Sequence, residues 1–142
     1  MTSFTRLNHG WNAEPNAPDP KVRVEGTDLV LLFRMNHRQY PEYSEGDVGE
    51  LRFTRCSRYR LGATDDEGWH MGRCRFSGIA PAWGEFYDVG GDLRLGQCPD
   101  DWFQLAERSA ASRHFLFYLR DDTFECDAEN WTLSVLRPSQ RR

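Results

Sequence analysis

Residues 113–136 read RHFLFYLRDDTFECDAENWTLSVL, and this stretch decides the fold class. Phe115, Phe117 and Leu119 alternate with His114, Leu116, Tyr118 and Arg120, the two-residue period of a strand with one face on a core. Asp121-Asp122 supplies turn chemistry, after which Phe124, Cys126 and Ala128 continue an inward face. Trp131, Leu133 and Val135 then occupy odd positions, so the phase flips near Glu129-Asn130. A bulge or bend there would keep both apolar sets on the core. The stretch predicts an antiparallel hairpin with a continuation.

The same pattern recurs upstream. In KVRVEGTDLVLLFRM, residues 21–35, Val22 and Val24 alternate with charge, and Gly26-Thr27 suits a two-residue type II′ turn. The run Leu29 to Phe33 is apolar on both faces, which predicts a strand central in its sheet. Residues 36–48 are polar, carry Pro41 and Gly46, and read as a long loop. In ELRFTRCSRYRL, residues 50–61, Leu51 and Phe53 share a face, and the phase blurs near Cys56 as at a bulge. WHMGRCRFSGI, residues 69–79, reads as another strand.

One segment reads as helical. In CPDDWFQLAERSAAS, residues 98–112, Asp101 and Gln104 have the spacing of a capping box, with Trp102, Leu105 and Ala106 on one face. We therefore expect a mainly β protein, an antiparallel β-sandwich or partly open barrel with one short α-helix at about 101–111. Residues 1–20, with three prolines, predict an extended N-terminal arm pinned by Trp11. Residues 21–137 form a single β-rich domain, and 138–142 a frayed tail.

The totals narrow the function classes. The 142 residues are 39% hydrophobic and 28% charged with a net charge of −4, a folding composition of one-domain size. No signal-peptide core or membrane-length apolar run is present, so the expected location is the cytoplasm, with no membrane role. Cys56, Cys74, Cys98 and Cys126 lack paired-ligand spacing and read as reduced thiols; no metal and no cofactor is expected. His70 and Cys74 would stand about 13 Å apart along a strand, too far to share an ion. No nucleophile elbow, P-loop or dinucleotide fingerprint occurs.

Two constellations could carry function. In WGEFYDV, residues 83–89, Trp83, Glu85 and Tyr87 share one strand face and Phe86 and Asp88 the other. One carboxylate, Glu85 or Asp88, must then sit beside apolar groups or at the strand's end, either in a pocket or paired with arginine. Second, Arg52, Arg55, Arg58, Arg60, Arg73 and Arg75 form the densest basic region among 18 Lys and Arg residues. Acidic loops flank that region and the net charge is negative, which argues against nucleic acid. Five tryptophans invite carbohydrate stacking, with Trp69 and Trp83, at turn–strand junctions, the pair to suspect.

GWNAEPNAPDP, YRLGATDDEGW, RFSGIAPAWGEFYDVGGD and RHFLFYLRDDTFECDAENW together resemble an uncharacterised bacterial protein family. HFLFYLRDDTFECDA is also similar to the closing hairpin of small β-rich bacterial immunity proteins. That resemblance implies a non-catalytic binder of another protein and assigns no site residues. The leading expectation is thus a bacterial binding or interaction protein. Its contact surface would comprise Trp69, Arg73, Arg75, Trp83, Glu85 and Tyr87. The alternatives are a small-molecule pocket protein or enzyme using Glu85 or Asp88, and a nucleic-acid binder using the arginine face.

Overall fold

The computed structural model describes residues 2–63, 76, 79–91 and 101–138. Two antiparallel sheets face each other as a β-sandwich. One sheet has the order β1 (Ser3–Arg6), β6 (Phe86–Gly90), β8 (Arg113–Tyr118), β9 (Asp122–Ala128), β5 (Arg58–Ala63), β7 (Phe103–Gln104). The other has the order β10 (Asn130–Leu136), β4 (Val48–Thr54), β3 (Asp28–Arg34), β2 (Lys21–Glu25).

Local sequence explains the pairings that the alternation predicts. Glu25 stands opposite Asp28 across a two-residue turn in which Gly26 takes φ +63°, a value that glycine adopts without a Cβ clash. β3 lies between β2 and β4, as its two-sided apolar run requires. β8 and β9 form the long hairpin, with Phe115 opposite Cys126 and Phe117 opposite Phe124.

The two phase breaks are not bulges. At both, the chain leaves one sheet and enters the other. After β4, Arg55 takes φ +50° and the chain crosses to β5 in the six-stranded sheet. After β9 it crosses to β10 in the four-stranded sheet, and the Glu129 amide donates to the Thr54 carbonyl at 2.9 Å. The second crossing inverts the parity of the inward residues, from Phe124, Cys126 and Ala128 to Trp131, Leu133 and Val135, whereas the first keeps it, with Leu51 and Phe53 before it and Tyr59 and Leu61 after it on the same core. Leu29, Leu31, Phe33, Leu51 and Phe53 thus meet Phe86, Phe115, Phe117, Phe124 and Cys126. Each fully buried side chain of this size contributes roughly 1.5–3 kcal/mol.

Residues 101–111 contain no helix. Asp101 spends its carboxylate on Arg60, which donates to both oxygens at 2.6 and 3.2 Å, so it cannot cap a helix. Phe103-Gln104 instead pairs with Arg58-Tyr59 as an edge strand, with the Tyr59 and Phe103 rings stacked 5.1 Å apart. A buried guanidinium in need of a carboxylate outweighs a local helical pattern. The N-terminal residues also do more than drape. Ser3–Arg6 extends the six-stranded sheet, and Trp11, buried, stacks on Phe33 at 5.9 Å. Among the described residues, no helix is long and apolar enough to cross a membrane.

Candidate binding cleft

On the outer face of the six-stranded sheet, the buried residues divide into two regions. Along one, Tyr87, Val89, Leu116 and Tyr118 form a second apolar cluster with Phe76 and Ala80, and Phe4 and Trp83 pack against it. Along the other lies an ion network. His114 places Nδ1 2.8 Å from Asp127 and Nε2 2.7 Å from Glu125. Arg58 donates to Asp127 at 2.5 Å, and Arg60 donates to Glu125 at 2.9 Å as well as to Asp101. The Trp102 ring lies 4.0 Å from the Arg58 guanidinium and edge-on to His114.

Burial disfavours a charged imidazole, yet hydrogen bonds and charge from Asp127 and Glu125 overcome it and raise the His114 pKa above its ordinary value. Asp127 responds in the opposite sense: burial opposes its ionisation, but His114 and Arg58 bring its pKa down to about 2. With His114 protonated, three cations face three carboxylates. Both imidazole nitrogens are then donors, and neither has a lone pair for a metal. Among the described residues, no group of three or more His, Cys, Asp or Glu side chains is placed to hold a metal ion.

Beyond the apolar cluster opens a cleft of about 410 Å³, a volume within the range of small-ligand sites. Trp83 and the buried Tyr118 both line it, stacked with ring centroids 4.8 Å apart. Its rim comes from residues 12–16, from Asn36 and Gln39, from Gly84 and Glu85, and from Leu119 and Arg120. The walls are set before any ligand arrives. Asn12 donates to the Gly84 carbonyl at 2.7 Å, Asn36 donates to Gln39 Oε1 at 3.3 Å, and Arg120 donates to Asn16 at 3.2 Å. Glu14 accepts the amides of Asn16 and Ala17, and Glu85 accepts from Asn8 at 2.5 Å. Gly84, with φ +83°, stands between Trp83 and Glu85, and all three line the cleft.

The residues expected from sequence divide accordingly. Trp83 and Glu85 line the cleft. Tyr87 is buried, and its hydroxyl donates to the Ala82 carbonyl at 3.1 Å; it supports the Pro81–Gly84 turn from beneath. Asp88 pairs with Arg113 at the sheet margin, the arginine-paired arrangement anticipated for one of the two acids. Trp69, Arg73 and Arg75 lie outside the described residues, as do Cys74 and Cys98. The arginine face is split: Arg52 lies on β4 with Glu25 and Asp28, whereas Arg58 and Arg60 belong to the other sheet.

Sequence reasoning missed Tyr118, Arg120, Asn36 and Gln39 in the cleft, and His114, Glu125 and Asp127 in the network. The available signals were the amides clustered beside prolines in residues 12–18 and the long loop after Met35. Compared with known proteins, the chain matches no family model, no curated protein and no solved structure.

Proposed function

We propose that this protein is a non-catalytic binding protein that holds a small ligand, or a small group of a larger partner, in the cleft lined by Trp83. The carrying observation is a cavity of about 410 Å³ whose polar lining side chains are already fixed by bonds within the protein. Such preorganisation lowers the ordering cost of binding. His114, raised, and Asp127, lowered to about 2, lie in the buried network, engaged with protein partners, which favours binding over acid–base chemistry. Free buried thiols at Cys56 and Cys126 fit a reducing compartment, and on that ground the reading keeps the protein in the cytoplasm.

A thermal-shift screen of a chemically diverse library on wild type and Trp83→Ala tests this. Compounds that raise the wild-type midpoint and lose their effect on the variant are the expected result. A library that raises neither midpoint, or both equally, contradicts the proposal.

A further inference from the structure

We infer that β10 is a docking edge for a second copy of this chain: two β10 strands pair antiparallel across a twofold axis at Leu133 and join two four-stranded sheets into one of eight strands. No β10 residue is among the described lining of the cleft, so the edge and the cleft can be tested apart.

Among the described residues, β2 and β10 end the four-stranded sheet, and they are built differently. β2 carries Lys21, Arg23 and Glu25 along five residues. Arg23 pairs with Glu25 and Glu50, so this edge is charged and guarded against a further strand. β10 reads NWTLSVL, with no charge, no proline and no glycine. Its seven residues pair one to one with β4 from Thr54 to Val48, so no bulge twists the edge away. Leu51 and Phe53 on β4 are fully buried, whereas Trp131, Leu133 and Val135, one strand further out on the same core, are only partly buried. A strand added beside β10 would remove more of that apolar surface from water. The Trp131 amide finds its acceptor on its own neighbour, Asn130 Oδ1 at 2.9 Å.

The symmetry of the strand points to the same chain as the occupant. A register in which Leu133 meets Leu133 sets Trp131 against Val135 and Thr132 against Ser134. Core-facing residues then meet core-facing ones, and exposed polar residues meet exposed polar ones. One residue beyond each end, the same register sets Arg137, which pairs with Asp47 in its own chain, against Glu129 of the other copy. Such a contact is isologous and closes at two copies. Pairing β10 with β2 of the next copy would instead grow an open filament and set charged residues against an uncharged strand. A single strand pair is small for a specific interface, so the dimer is reversible and concentration-dependent.

The test is sedimentation velocity of the full chain over a concentration series, for wild type and two double variants at exposed positions. Thr132→Glu with Ser134→Glu sets acid against acid across the axis, and Thr132→Glu with Ser134→Lys sets acid against base. Wild type is expected to pass from monomer to dimer. The first variant should raise the dimer Kd at least about tenfold, and the second should stay within about twofold. A wild type that stays monomeric up to about 1 mM, or that grows beyond two copies, overturns the proposal. So does a dimer that survives both variants or is lost in both. Amide exchange on wild type alone gives a second readout, in which protection of residues 131–135 should rise with dimerisation. Protection there that ignores concentration overturns the proposal as well.

Discussion

The ion network lies on the six-stranded sheet and the cleft where four distant segments meet, and each sets a tryptophan beside charged groups. They differ in where the polar bonds end. In the network every charge ends on another charge of the protein: His114, Glu125 and Asp127 are buried and held by Arg58 and Arg60. In the cleft the bonds hold side chains in place around a cavity of about 410 Å³. Polar groups that satisfy one another specify a fold; polar groups that are fixed but face a cleft specify a ligand.

The largest effect should come from breaking the network. Glu125→Ala leaves Arg60 and His114 short of a buried counter-charge and should cost about 3–5 kcal/mol in urea unfolding. A loss under 1 kcal/mol would mean that Asp101 and Asp127 alone satisfy Arg60 and His114.

Next comes pH. The folded pKa of His114 lies above its unfolded value of 6.5, so its contribution is complete below pH 6.5 and fades as pH rises through the folded pKa. Asp127 is lowered from 3.8 to about 2, so its contribution holds above pH 3.8 and is lost as pH falls toward 2. Unfolding midpoints should therefore fall on both sides, and His114→Gln should flatten the alkaline limb. An alkaline limb unchanged in that variant would place the titrating group elsewhere.

A smaller effect belongs to the cleft. Gly84→Ala forces a side chain into φ +83° and should cost about 1–2 kcal/mol while displacing Trp83 and weakening binding. Stability and affinity both unchanged would remove Gly84 from the account. The smallest effect is expected from Arg52→Ala, whose exposed pairs with Glu25 and Asp28 are screened by solvent. Its unfolding midpoint should match wild type, and a clear drop would show a coupled surface network.

Part of this comparison is legible in the sequence. Alternation along Phe115–Leu119 and Phe124–Ala128 gives the hairpin and its inward face, and Gly26-Thr27 gives a turn. The sheet crossings are not legible, because a change of sheet at Glu129 shifts parity as a bulge would. The 101–111 helix fails because its capping residue is claimed by Arg60, 41 positions away. Burial of Glu125 and Asp127 is hidden for the same reason, since their alternation reads as solvent-facing until another segment covers them. Trp83 and Glu85 stand out through their unusual aromatic and acidic crowding. Asn36, Gln39 and Tyr118 do not, because the cleft forms only where four distant segments meet.

The division of labour is tested most directly by measuring the affinity of one cleft-binding compound for Trp83→Ala and His114→Gln at a temperature where both are folded. Trp83→Ala should weaken binding at least about tenfold, and His114→Gln should stay within about twofold of wild type. Wild-type affinity in Trp83→Ala, or an equal loss in His114→Gln, would contradict the account.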